Sequence, residues 1–198
     1  MGREIELKFR LEDPAGLRAR LTACGARRIG CVQETNRIFD TTERKLLAAD
    51  CGLRLRWMRD LETAAGGGGA PRATLAYKGP RKADTVKTRE EIEVVVGDAD
   101  TVATILERLG FREVVAYEKR RETWRLEGCE VCLDELPKLG WFVEIEGPSA
   151  AAVGIIRACL GLASATALSE TYVEMAASAG MGNADGASRL LFRESRPA

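Results

Sequence analysis

The chain has 198 residues, 30 lysines and arginines against 30 aspartates and glutamates, and no histidine. That length suits one sizeable core, and the balanced charge excludes the broad basic surface of a nucleic-acid binder, leaving small anions as the expected partners. Without histidine there is no serine–histidine–aspartate triad, zinc–histidine site or histidine acid–base pair, so chemistry falls to carboxylates, lysines, arginines, tyrosines or a metal-bound water.

The first element is Glu4-Ile5-Glu6-Leu7-Lys8-Phe9-Arg10-Leu11, in which charged and apolar residues alternate. In a strand successive side chains face opposite ways, so Glu4, Glu6, Lys8 and Arg10 share one face and Ile5, Leu7, Phe9 and Leu11 the other. Asp13 and Pro14 read as the cap and first residue of a helix carrying Leu17, Leu21 and Cys24 and stopped by Gly25. Strands are predicted over 27–39 and 52–59, the second placing Arg54 and Arg56 on one face. Residues 64–71, with four consecutive glycines, read as a flexible hairpin tip leading into a strand at 73–78. Lys78-Gly79-Pro80-Arg81 ends that strand, and 86–96 supplies another with Lys87, Arg89, Glu91 and Glu93 on one face. Asp98 caps a second helix whose apolar stripe is Val102, Ile105, Leu106 and Leu109, stopped by Gly110. Strands at 111–127, 129–135 and 141–146 carry Lys119, Arg121, Asp134, Glu144 and Glu146, and a third helix covers 149–160. The tail after 177 is small and polar and is expected to be disordered apart from a turn at Leu190–Phe192.

The six cysteines show no repeating spacing, and no signal-peptide pattern or membrane-length apolar run accompanies them. Reduced thiols in a cytoplasmic protein are therefore the expectation, with no membrane partner. Cys129-Glu130-Val131-Cys132 spells a CxxC, but on a strand an offset of three puts the sulfurs on opposite faces, which argues against a metal or redox pair.

About eight alternating strands with three helices predict an α+β fold in which an antiparallel sheet curls into an eight-stranded barrel. Helices with apolar stripes need an apolar surface to cover, so they belong on the outside, and the charged strand faces line the lumen. Such a lumen is costly unless its charges are paired, hydrated or matched to an ionic ligand. A metal–polyphosphate complex suits both signs at once, with carboxylates on the metal and cations on the phosphates.

Glu4-Ile5-Glu6-Leu7-Lys8 resembles the ExExK signature of the CYTH domain, the triphosphate tunnel metalloenzymes. Further matches follow in family order: Asn36-Arg37-Ile38-Phe39-Asp40-Thr41, Leu53-Arg54-Leu55-Arg56, Tyr77-Lys78-Gly79-Pro80, Arg89-Glu90-Glu91-Ile92-Glu93, Lys119-Arg120-Arg121, Leu133-Asp134, Phe142-Val143-Glu144-Ile145-Glu146 and Thr171-Tyr172-Val173-Glu174. The resemblance implies a domain over 1–177, with 178–198 as the tail. It implies Mg2+ or Mn2+ bound by Glu4, Glu6, Glu144 and Glu146, with Glu91, Glu93 and Asp134 as further ligands or their partners. Lys8, Arg54, Arg56, Lys78, Lys119 and Arg121 would bind the triphosphate, joined by Arg89, and Lys8, Arg56, Lys119 and Arg121 would carry the catalytic neutralisation of charge. The Lys-Gly-Pro turn and late Tyr-Val-Glu segment look most like the bacterial class IV adenylyl cyclase-like branch, although Ile38 stands where an aromatic is usual and Thr171 where a serine often precedes the tyrosine. The implied substrate is ATP, thiamine triphosphate or tripolyphosphate, and the implied reaction is cyclisation of ATP or hydrolysis of a triphosphate. A non-catalytic polyphosphate sensor is the third reading, and a homodimer is compatible with all three. In an empty tunnel Lys8, Arg56, Lys119 and Arg121 are expected to repel one another, so that neutralising Lys119 leaves the apo protein as stable as before or more so.

Overall fold

The computed structural model describes residues 2–62, 72–81, 87–182 and 186–192; the glycine-rich tip at 64–71 lies outside them. In chain order the elements are β1 (Gly2–Leu11), α1 (Pro14–Ala23), β2 (Arg27–Thr41), α2 (Lys45–Ala48), β3 (Gly52–Asp60), β4 (Arg72–Lys78), β5 (Lys87–Val96) and α3 (Ala99–Arg108). They continue with β6 (Phe111–Leu126), β7 (Cys129–Leu136), β8 (Gly140–Glu146), α4 (Ala150–Cys159), α5 (Tyr172–Ala179), β9 (Met181–Gly182) and β10 (Ser188–Leu190). Asp13 caps α1 by accepting from the Gly16 amide, Pro14 is its first residue, and Gly25 follows with φ 78°. Asp98 likewise caps α3, accepting from the amides of Asp100 and Thr101.

The sheet order is β2-β3-β4-β5-β1-β8-β7-β6, with every neighbouring pair antiparallel. β2 also pairs with β6, from Arg27 opposite Arg125 to Thr41 opposite Phe111, so the eight strands return on themselves. The apolar faces turn outward. Phe9, Val131, Leu133, Val143 and Ile145 pack beneath Leu17 and Leu21 of α1 and Val153 and Ile156 of α4, with Leu160 at the C-cap of α4. Phe39 and Leu55 pack beneath Ala103 and Leu106 of α3. The α3 stripe differs from expectation: Ile105 and Leu109 point to solvent, and Ala103 joins Leu106 on the buried side. Replacing Ile145, wholly buried in the outer wall, by alanine is expected to cost about 2–5 kcal/mol. Urea denaturation checks this, and a change under about 1 kcal/mol would mean the outer wall is not a packed core.

Three features depart from the sequence expectations. The chain after 177 does not remain a disordered tail where it is described: β10 pairs in parallel with β6 at Val115–Tyr117, and Leu190 is buried. One helix does not lie outside. α5 packs its Tyr172, Met175 and Ala176 against Ile38, Val115, Tyr117, Leu136 and Phe142 and so occupies one end of the barrel. Lastly, the sulfurs of Cys24 and Cys159, at the ends of α1 and α4, meet on the outer wall, a pairing that the scattered cysteine spacing did not foreshadow. These two residues are 135 apart in sequence, a separation that gave no sign that both helices end side by side on one wall. Cys129 and Cys132 are free, with Cys129 under α4 and Cys132 on the opposite face, where burial pushes its thiol far above the ordinary value. Among the described residues no helix is long and apolar enough to cross a membrane.

Candidate active site

Inside the barrel is a cavity of 580 Å³ whose wall includes Glu6, Lys8, Arg54, Arg56, Lys78, Arg89, Glu91, Glu93, Lys119, Arg121, Glu144 and Glu146. Strand parity accounts for this: β1, β3 and β8 turn their even residues inward and β5 and β6 their odd ones, leaving the apolar partners to the outer wall. All the predicted site residues except Glu4 and Asp134 line this one space. Glu4 sits on β1 opposite Arg89, and its side chain lies outside the described residues.

The deepest part is a lattice of alternating charge. The Lys119 ammonium lies 3.2 Å from Asp134 Oδ2 and 3.5 Å from Glu34 Oε2. Arg121 donates to Asp134 through Nε (2.7 Å) and Nη2 (2.6 Å), and Nη2 also meets Glu144. Lys8 Nζ is 3.1 Å from Glu144 and stands over the Tyr172 ring at 3.7 Å. Arg56 donates through Nε to Asn36 Oδ1 at 2.9 Å, with Glu34 Oε2 3.2 Å away.

These contacts set the protonation states. Burial opposes the charge on Glu34, but Arg56, Lys119 and Arg121 outweigh it and hold the carboxyl well below its ordinary value. Glu144 is treated alike by burial against Lys8 and Arg121. Burial also opposes the Lys8 and Arg121 charges, which Glu144 and Asp134 respectively more than restore. Burial, then Asp134 and Glu144, push the Tyr172 phenol well above its usual range, so it stays neutral and donates to Asp134 Oδ2 at 2.9 Å.

Asp134, Glu91 and Glu93, which the resemblance gives as further metal ligands or their partners, are paired with cations. Asp134 is wholly buried, does not line the cavity, and accepts from Lys119, Arg121 and Tyr172. Glu91 engages Arg54 through one oxygen at 3.2 Å and Lys78 through the other at 3.4 Å, and Glu93 lies 3.5 Å from Arg54. These carboxylates therefore serve the cations of β3 and β4. Buried carboxylates pair Lys8, Lys119 and Arg121 and offset their mutual repulsion, whereas at Arg56 burial and the neighbouring Arg54 and Arg121 charges outweigh Glu34 and lower the guanidinium from its ordinary value.

Sequence reasoning did not select Glu34, Asn36, Glu130, Arg81, Tyr172 or Glu174. Glu34 and Asn36 share the inward face of β2, and Glu130 shares that of β7, so parity alone would have found them. Arg81 lies 2.7 Å from Asp50 and 3.3 Å from Glu174 and thereby ties the turn after β4 to α5.

The donor chemistry fits a hard divalent cation. Glu130, Glu146 and Glu6 stand side by side in register across β7, β8 and β1, and all three line the cavity. Among the described residues no three such groups converge as a ready-made cage. Mg2+ does not need one, since it commonly takes one or two carboxylates and completes its shell with water and substrate phosphate.

A closed barrel that turns its charges inward and its apolar faces out under helices is built as a tunnel for a small polyanion. The CYTH domain model matches residues 2–154, and the chain belongs to that family. It is 31% identical over 143 residues, 72% of its length and 75% of the relative's, to a putative adenylate cyclase of Methanocaldococcus jannaschii. It is also 31% identical over 145 residues, 72% of its length and 67% of the relative's, to adenylate cyclase CyaB of Aeromonas hydrophila. Among solved structures, a Pyrococcus horikoshii protein superposes with a TM-score of 0.73 at 29% identity, over 87% of this chain and 97% of that one. A Hippeastrum protein, described as a putative adenylyl cyclase with a dominant triphosphatase activity, gives 0.64 at 21% identity over 85% and 92%; that likeness is one of fold.

Proposed function

We propose that this protein is a cytoplasmic, divalent-metal-dependent enzyme that converts ATP to cyclic AMP and pyrophosphate. The observation that carries the reading is one inner surface holding both a buried cation cluster, Lys8, Arg56, Lys119 and Arg121, and the carboxylate row Glu6, Glu146 and Glu130. The two relatives named as adenylate cyclases support it.

In this reaction the ribose 3′-oxygen forms a bond to the α-phosphorus as the bond from that phosphorus to the bridging oxygen of pyrophosphate breaks, and the hydroxyl proton passes to solvent. Transfer of this kind depends on positioning and neutralisation of charge. Lys8, Arg56, Lys119 and Arg121 hold the phosphate oxygens, and their own carboxylate partners fix each cation before substrate arrives. Arg54, Lys78 and Arg89 extend that hold toward β3–β5. A bound Mg2+ or Mn2+, held by Glu6 and Glu146, would supply further positive charge at the phosphates.

Hydrolysis is the second reading, favoured by the activity described for the Hippeastrum protein. Water then attacks the terminal phosphorus within the same clamp. Incubation with ATP, thiamine triphosphate and tripolyphosphate, with and without EDTA, separates the two. Cyclic AMP from ATP is expected, lost on chelation. Orthophosphate together with the matching diphosphate (ADP, thiamine diphosphate or pyrophosphate) and no cyclic AMP supports the hydrolase, and binding without turnover would leave a polyphosphate sensor. Glu144 is buried and paired with Lys8 and Arg121, so its substitution disturbs the fold as well as the reaction. Glu6→Gln is expected to lower turnover roughly 10–100-fold or more, and its melting, measured beside that of Glu144→Gln, separates loss of a metal ligand from loss of the negative charge that supports Lys8. Full activity in this variant would remove Glu6 from the metal site.

A further inference from the structure

Arg56 is held differently from the other deep cations. Lys119 and Arg121 each donate to the Asp134 carboxylate, whereas the Arg56 Nε hydrogen goes to a neutral group, Asn36 Oδ1 at 2.9 Å. Glu34 Oε2 approaches the same nitrogen to 3.2 Å without the alignment of a hydrogen bond, and that oxygen also serves Lys119 at 3.5 Å. Arg54 and Arg121 add like charge, and the guanidinium is lowered from its ordinary value, burial being the largest cause. The register sets Arg56 between Asn36 on β2 and Thr74 on β4, both neutral and both buried. Each leaves a buried polar atom without a hydrogen-bond partner among the described residues, Asn36 Nδ2 and Thr74 Oγ1. An unpaired buried donor costs stability, and Asn36→Asp would remove that donor and add a counter-charge in nearly the same volume. The chain thus keeps beside Arg56 a partner less favourable to the empty barrel than one it could hold, the pattern of a group retained for function.

We infer that Asn36 is a positioning residue for the phosphate clamp: its amide oxygen holds the Nε edge of the Arg56 guanidinium without supplying a counter-charge, so that the charge of Arg56 is left to be met by a phosphate oxygen of the substrate. The inference rests on the triphosphate reading above and adds to it a residue that does not itself touch the substrate. Asn36 is wholly buried and does not line the cavity, whereas Arg56 does. A carboxylate at the same place would satisfy Arg56 in the empty barrel, and an incoming phosphate would then have to compete with it; a neutral amide fixes the same geometry and leaves the attraction for the ligand.

The test compares the wild type, Asn36→Asp and Asn36→Ala by isothermal titration with tripolyphosphate in EDTA, which suppresses metal-dependent turnover, and by thermal melting of the apo proteins. Asn36→Asp keeps the shape and adds the charge, so it is expected to raise the melting temperature by about 2–6 °C and to weaken tripolyphosphate binding about tenfold. Asn36→Ala removes the Nε acceptor and is expected to lower the melting temperature by a similar amount. Stability and affinity moving in opposite directions in Asn36→Asp mark the positioning role, since loss of a merely structural contact lowers both. An Asn36→Asp protein no more stable than the wild type, or one that binds tripolyphosphate within about twofold of it, overturns the inference and leaves the triphosphate reading standing, because a buried carboxyl that meets no uncompensated charge stays protonated. An Asn36→Ala protein that melts with the wild type shows that the amide does not hold Arg56 and overturns the inference as well. Absence of tripolyphosphate binding by the wild type overturns both readings.

Discussion

Replacing Lys119 by methionine is expected to destabilise the apo protein by about 3–5 kcal/mol, the cost of leaving buried charges without their partner. The Lys119 ammonium is almost wholly buried between Glu34 and Asp134, whose carboxylates are themselves out of water. Without it, Glu34 retains Arg56 and Arg121, and Asp134 retains Arg121 and the Tyr172 hydroxyl, so one positive charge is missing from a site that water cannot screen. Pairing Lys119→Met with Glu34→Gln should recover part of the loss by removing the surplus carboxylate. The pH dependence follows from the direction of the Glu34 shift. A carboxyl held below its ordinary value contributes stability that is full above the unfolded-state value and is lost as pH falls through the folded-state value. Removing Lys119 raises the folded-state value, so the gap between variant and wild type is widest near neutrality and narrows below about pH 4. Urea denaturation of the apo proteins across pH provides the measurement. An apo variant as stable as the wild type at neutral pH would show that the cations repel one another after all. Triphosphate affinity should fall in the same variant, since Lys119 is part of the clamp.

The strands and their polarity were legible because alternation over eight residues leaves a strand one choice of inner face. Glu6, Lys8, Arg54, Arg56, Lys119, Arg121 and Glu144 were placed in one lumen by that reasoning, and each lines the cavity. Partnership was not legible. Asp134 has the parity of a lumen residue, yet its oxygens are consumed by Lys119, Arg121 and Tyr172, and only the register between β6 and β7, with α5 docked behind them, brings those groups together. Glu34 has the inward parity of Asn36, but the register shift at Arg28/Gly30 breaks the alternation at the start of the 15-residue β2, so its inward face was less evident than that of β1.

α5 was overlooked because it spans eight residues, four of them alanine or serine, too few to display a helical period. Its signal was local. Thr171 and Glu174 form a capping box, each side chain accepting from the other's backbone amide, and Thr171-Tyr172-Val173-Glu174 has the spacing of that motif. A helix starting there had to bury Tyr172 and Met175 somewhere. The outer wall at α1 and α4 was already covered, whereas the barrel end framed by Tyr117 and Phe142 was open.

Tyr172 joins that helix to the charged lattice, and two substitutions separate its functions. The ring packs edge-on to Phe142 at 5.5 Å and lies beneath Lys8 at 3.7 Å and Lys119 at 5.0 Å, while the hydroxyl donates to Asp134. Tyr172→Phe keeps the ring and loses only the hydrogen bond to a charged acceptor, so a loss of about 1.5–3 kcal/mol is expected. Tyr172→Ala removes the ring as well and should cost about 3–5 kcal/mol. Because α5 is short and held largely by this side chain, its backbone amides, such as Met175 to Thr171 and Gly180 to Ala176, should lose protection from hydrogen exchange in the alanine variant before those of the barrel strands do. In the phenylalanine variant α5 should stay docked, with protection close to that of the wild type. Equal losses from both substitutions would assign the whole effect to the hydroxyl and leave the ring without an energetic role. Unchanged α5 protection in Tyr172→Ala would mean that Met175, Ala176 and the β10 strand hold the helix in the barrel end without it.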